Sequence, residues 1–295
     1  MKSKSVLVFL FFFVFDHYTF AKKDINSLDR KKITHASVGI GIGLYMTNLY
    51  IDDIWWGEQK TDFSFDGGRD AIYALNVDKC GHFMGGLIFS DIITSSIYSS
   101  GINRSSSYLI GGLSGTVLQL AIELKDAYSP YWGFSSIDLI AGTAGSFWPV
   151  LQHYNEDFRA VNFKFSYWNR SSHHKELQIQ QHAETNDWNW HDNYINQTYW
   201  ASIDIDYFID SEFWPPWLEL AFGIGIDDTQ YLDEHNRKRG GNNEFYIALD
   251  YNISAMLRKW EHPVYKSIKK WINYFHFPAP TIRISPKVEW YPLFL

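Results

Sequence analysis

The chain has 295 residues, 46% of them hydrophobic and 18% aromatic, with a formal net charge of -7 and a single cysteine. The negative balance argues against nucleic acid, which needs a concentrated positive surface, and one cysteine leaves no intramolecular disulfide. Stability must come from burial over one or two domains. Thirteen Trp and nineteen Tyr suit places with one apolar and one wet end, such as membrane and protein interfaces.

Lys2 and Lys4 precede an apolar run from Val6 to Phe15, and Thr19 and Ala21 follow. Charge, apolar core and small-residue cleavage site are the layout of a secretory signal peptide, read here as residues 1–21. The apolar core falls short of the roughly 20 residues a bilayer span needs; an uncleaved anchor is the other reading. No cysteine lies near Ala21, so the expected mature N-terminus carries no lipid on cysteine.

Four segments then read as helices: Ile33 to Ile51, Val77 to Tyr98, Ser105 to Lys125, and Ser136 to Tyr154 with a kink at Pro149. Apolar residues lie all round them, so they are buried in protein or lipid, and each is nearly long enough to cross a hydrocarbon core. Glycine disfavours helix in water, yet glycines recur here. Gly39-x-x-x-Gly43, Gly81-x-x-x-Gly85 and Gly111-x-x-x-Gly115 share the spacing that lets helix backbones approach closely in membranes. A soluble bundle with tight crossings fits the same pattern.

Near residue 155 the character changes. Tyr199, Ala201, Ile203, Ile205 and Tyr207 alternate with Trp200, Ser202, Asp204 and Asp206, a strand pattern with one apolar face. Leu218 to Ile226, Glu244 to Ile253 and Thr281 to Trp290 look alike, with Asn162 to Trp168 a shorter candidate. Ser254 to Phe275 reads as a helix carrying Arg258, Lys259, Lys266, Lys269 and Lys270. It suits either an anionic membrane surface or a solvated face. Asn169 to Asn196 reads as a long polar loop, with His173-His174 a surface pair. The fold class expected is α+β: an N-terminal bundle of about four apolar Gly-rich helices (30–156), then an antiparallel β-rich half (157–295) with one basic amphipathic helix.

Ionisable residues inside the helical half carry the functional signal. Asp78 and His82 are four apart on one helix face, with Lys79 beside them; Glu123 and Asp126 end the third helix, and Asp138 opens the fourth. Isolated buried charges cost several kcal/mol each, so the least costly arrangement gathers these six. They fit a polar lock that fixes helix register, a divalent metal site with His82, Asp78, Glu123 and Asp126 as candidate ligands, or an acid–base site acting on a lipid or wall precursor. Ser135-Ser136-Ile137-Asp138 is also close to a capping box, and Asp78 near a helix start is favoured by the dipole. No nucleophile elbow, phosphate loop, C-x-x-C or H-E-x-x-H motif is present, and Gly223-Ile224-Gly225 lacks the helix a dinucleotide site needs. Whether the chain takes a cofactor is left open.

Asp78-Lys79-Cys80-Gly81-His82-Phe83, Ile122-Glu123 with Asp126, and Gly133-Phe134-Ser135-Ser136-Ile137-Asp138 together resemble the YfiM-like domain-of-unknown-function family of bacterial envelope proteins, in its longer Bacteroidetes-type form. Asn196 to Trp200, Trp217-Leu218, Glu244 to Asp250 and Pro278 to Thr281 extend the likeness. The D-K-x-x-H, Glu, Asp order is more distantly similar to the VanZ-like membrane proteins. Both patterns carry an Asn a few residues after the last Asp, where this chain has Ala141-Gly142. The resemblance implies an envelope location and supplies no activity. The expectation is an exported, membrane-associated, non-catalytic envelope protein whose polar cluster is a structural lock. The alternative is a membrane-embedded enzyme or metal-binding protein acting on lipid or cell-wall intermediates.

Overall fold

A computed structural model describes residues 30–55, 60–130, 132–181, 193–209 and 214–295. The signal-peptide segment and part of the expected 169–196 loop lie outside them. The fold is α+β, and the chain divides into two compact units. One gathers His82–Asn155 and His262–Ser267 with the described part of Met1–Gly67; the other gathers Gly68–Gly81, Glu156–Glu261 and Ile268–Leu295.

Four long helices occupy the first half: α1 (Arg30–Trp55), α2 (Asp78–Ser99), α3 (Arg104–Asp126) and α4 (Ser136–Tyr154). Asn103 caps α3 by accepting the Ser106 amide at 2.9 Å, and Ser135 caps α4 by accepting the Asp138 amide at 3.3 Å. Each satisfies one of the donors that a helix start leaves open. Pro149 sits inside α4, whose helix continues to Tyr154.

Glycine determines how α2, α3 and α4 touch. A Cβ at Gly86 of α2 would run into the Gly142 carbonyl of α4, and one at Gly145 would run into the Phe83 carbonyl. On α3, Gly111 lies against Ser90 and Thr94 of α2, and Gly115 against Ser146 of α4. The Ser146 hydroxyl donates back to the Gly142 carbonyl at 2.7 Å, so it needs no other acceptor at the crossing. Gly111-x-x-x-Gly115 is thus a true contact motif. Of the pair Gly81 and Gly85, the first faces Tyr199 and the second Gln119, while Gly86 makes the close approach.

The second unit is built on one six-stranded antiparallel sheet in the order β1 (Val161–Tyr167), β2 (Gln197–Asp204), β3 (Leu218–Ile226), β6 (Asn243–Tyr251), β7 (Ala279–Ser285), β8 (Glu289–Phe294). A two-stranded ribbon, β4 (Gln230–Leu232) with β5 (Lys238–Gly240), fills the connection between β3 and β6. One row in register runs Lys164, Trp200, Gly223, Tyr246, Arg283. Gly223 has no side chain there because the Trp200 ring occupies the space, 2.6 Å from where a Cβ would stand. Trp200 and Tyr246 are almost fully buried and pack with Ala221 and Ala248.

Four expectations need correcting. The strand read from Tyr199 to Tyr207 ends at Asp204, and Ile205–Phe208 form a helical turn. Thr281 to Trp290 is not one strand: Pro286, which has no N–H for a ladder, sits in the turn between β7 and β8. Ser254 to Phe275 is not one helix. A single turn, Ile253–Met256, precedes α6 (Pro263–Ile272), because proline fits a first helical position; Lys269 is buried and donates to the Leu257 carbonyl at 2.9 Å. Finally, the 169–196 region contains α5 (His173–Gln180), with His174 buried rather than on the surface.

Candidate functional site

The first unit brings together three of the residues singled out by sequence. His82 lies one turn into α2, Glu123 in the last turn of α3, and Asp138 in the first turn of α4. One candidate ligand atom from each lies within 4.8 Å of the others. Glu123 is 1% exposed and Asp138 4%, while His82 retains some solvent contact. The two oxygens of Glu123 have different surroundings. Oε2 accepts the Ser135 amide at 2.8 Å, tying the end of α3 to the cap of α4. Oε1 is buried with no hydrogen-bond donor and lies 3.6 Å from His82 Nδ1.

The helix dipoles treat the two carboxylates oppositely. Asp138 sits at a helix N-terminus, which favours negative charge; Glu123 sits at a helix C-terminus, which disfavours it. A carboxylate buried there needs compensation from outside its own helix.

Sequence reasoning missed Gln119, one turn before Glu123 on the same face of α3 and 2% exposed. Its Oε1 lies 3.0 Å from His82 Nδ1. An amide oxygen only accepts, so Nδ1 carries the proton in this contact and the ring is held in one orientation. Gln119 fits because Gly142 stands opposite: a Cβ at Gly142 would overlap the Gln119 side chain. The legible signal was a lone Gln in an uncharged apolar run, four residues before a Glu.

The other candidates have different surroundings. Asp78 and Lys79 belong to the second unit, where the Lys79 ammonium donates to Asp70 at 3.0 Å and Asp78 at 3.1 Å. Asp126, the last residue of α3, is half-buried and outside the His82–Glu123–Asp138 group. Within the first unit Asp138 stands with His82 and Glu123, because a helix start from the next element reaches them.

The sheet holds a second buried ionic cluster that sequence reasoning did not find. Lys164 Nζ lies 2.7 Å from Glu219 and 3.0 Å from Asp250, and all three side chains are fully buried. Lys164 also donates to the Tyr251 carbonyl at 2.9 Å; Asn162 donates to Glu219 at 2.9 Å; Ser202 bonds Asp250. His276 lies 3.2 Å from Asp250 and stacks on Trp200 with ring centroids 4.0 Å apart. Nearby, Glu244 is clamped between Arg170 at 2.5 Å and Arg283 at 2.6 Å, beside a cavity of about 750 Å³. Members of both clusters come from different strands and the loops beside them, so no local spacing announces them.

Residues 68–154 match a family described as "Predicted periplasmic lipoprotein (DUF2279)". The match contains all six candidate polar residues and ends before the sheet. No curated protein and no solved structure matches the chain. The chain's one cysteine, Cys80, lies in the first turn of α2, inside the matched span. This chain is an exported protein of the bacterial cell envelope, similar over that span to a family of unknown function.

Proposed function

We propose that this chain is a non-catalytic, membrane-embedded envelope protein. In this reading α1–α4, within residues 30–156, form a bundle in lipid, and the His82–Gln119–Glu123–Asp138 cluster is the lock that fixes their register. Residues 157–295 form the β-rich region. The finer likeness to the YfiM-like and VanZ-like proteins belongs to the same reading.

One observation carries it: α3 is inside out. Its buried residues are Ser107, Gly111, Gly112, Gly115, Gln119 and Glu123. Its large apolar residues face outward, with Leu109, Leu113, Val117, Leu120 and Leu124 all exposed and Val117 at 65%. A helix folded in water shows the reverse, since each large apolar side chain left exposed forgoes about 1.5–3 kcal/mol. Small residues at helix contacts with apolar residues outside are the arrangement lipid favours. Among the described residues α3 is the helix long and apolar enough to cross a membrane; 23 residues rise about 35 Å, against a hydrocarbon core of about 30 Å. On α4, Ile137 and Ile140 are exposed in the same way.

The test is fractionation of the full chain from cells that express it. Retention in the membrane pellet through alkaline carbonate and high salt, with release by detergent, is expected. Release without detergent would overturn membrane embedding.

A further inference from the structure

We infer that His82, Glu123 and Asp138 bind a divalent cation of the zinc or manganese class, which completes the lock between α2, α3 and α4. This rests on the reading of the cluster as a structural lock and names the ligand that closes it.

Three observations carry the inference. The first is the donor set: one imidazole and two carboxylates, from three helices, with ligand atoms within 4.8 Å of one another. Imidazole with carboxylates suits borderline and harder divalent ions, and three protein ligands leave positions for water. The second is Glu123 Oε1. This oxygen belongs to a side chain 1% exposed, faces His82 at 3.6 Å, and receives no hydrogen bond. A carboxylate oxygen buried at a helix C-terminus without a donor is a costly arrangement; a cation beside it removes the cost. Glu123 Oε2 is already held by the Ser135 amide, so the carboxylate is fixed in orientation before any ion arrives.

The third is Gln119. By accepting from Nδ1 at 3.0 Å it favours the neutral tautomer that leaves Nε2, not the Nδ1 facing Glu123, with the lone pair an ion would use. A hydrogen-bond partner on the second ring nitrogen is the usual companion of a metal-bound histidine.

The experiment uses the full chain purified in detergent, stripped with a chelator, then given Zn2+ or Mn2+ and desalted. Elemental analysis should find about one equivalent of one of these metals in the parent. The same metal should raise Tm by at least ~2 °C. His82→Ala and Glu123→Gln should both lose the metal and the Tm response, while Asp126→Asn should keep them. Glu123→Gln retains an acceptor for the Ser135 amide, so its metal-free Tm should stay near the metal-free parent; Glu123→Ala, which loses that acceptor, should melt lower. A parent that holds no metal above background and shows no Tm response to either ion would overturn the inference. So would both responses surviving in His82→Ala and Glu123→Gln, which points to binding elsewhere. A metal-free Glu123→Ala that melts with the parent would instead sink the lock reading, whatever the metal result.

Discussion

Both units of this protein bury carboxylates, and they compensate them in different ways. In the sheet, Glu219 and Asp250 share one ammonium, Lys164, and Asn162, Ser202 and His276 fill positions around them. In the helices, Glu123 meets one imidazole at 3.6 Å and one backbone amide, with an oxygen left without a donor. The sheet carboxylates are met by side chains of their own cluster, although the ring nitrogens of His276 make no hydrogen bond; the Glu123 carboxylate is met on one oxygen only. A buried ion pair that is complete costs desolvation already offset by its partner, whereas an incomplete one keeps a standing demand for positive charge. Burial of charge alone therefore does not mark a binding site. The informative feature is which cluster lacks a donor that its own fold could have supplied.

The largest effect should come from opening the sheet cluster. Lys164→Met removes the ammonium and leaves Glu219 and Asp250 buried together, at an expected cost of about 3–5 kcal/mol. Denaturant unfolding monitored by Trp fluorescence would report it, since Trp200 is buried in the same sheet. A loss below ~1 kcal/mol would mean that the two clusters are not different in kind.

Next in size is a charge placed on the outer face of α3. Val117→Lys puts an ammonium near the middle of that helix, where insertion into lipid would cost about 2.5–3.5 kcal/mol. The membrane-bound fraction should fall accordingly. If that surface faces water instead, the change stays within about 0.5 kcal/mol and fractionation does not move.

The smallest effect concerns pH and the sheet unit. Asp227 is pushed up by burial, but the Asn242 and Thr229 donors outweigh this and hold its carboxyl below the ordinary value of 3.8. A depressed carboxylate contributes stability above the ordinary value and loses it as pH falls through the folded value. Asp227→Asn should therefore lower the denaturant midpoint slightly at pH 7, and the gap from the parent should close as pH falls through the folded value. A gap that is constant with pH would assign the loss to shape rather than charge.

The helix spans were legible because periodic apolar runs, caps and glycines are local signals: Ser136 to Tyr154 matches α4 residue for residue, and Asn103 and Ser135 cap as their types suggest. Strand alternation was legible too, but not which face it buries. Along β3 and β6 the buried positions include Glu219, Ala221, Gly223, Gly225, Glu244, Tyr246, Ala248 and Asp250, with Ile226 buried at the strand end, while Phe222 and Phe245 are exposed. Alternation fixes that two faces differ, and the rule that the apolar one turns inward fails here. Of the candidate site, three residues were legible as ionisable groups in apolar helices. Gln119 carried only the weaker signal of an uncharged polar residue in an apolar run, and the Lys164 cluster carried none, because its members meet only across strands.

The segment Gly68–Gly81 has a consequence for the timing of folding. It belongs to the sheet unit, where Gln230 donates to the Tyr73 carbonyl at 2.8 Å and Asn243 to the Leu75 carbonyl at 3.2 Å. The partners lie 157 and 168 positions further along the chain. During synthesis and export, residues 73 and 75 emerge long before either donor exists, so this segment waits through most of the chain's production before it can be fastened. Contacts of such long sequence separation form late and slowly. The chain must keep α2, which begins at Asp78, from committing its first turn elsewhere in that interval.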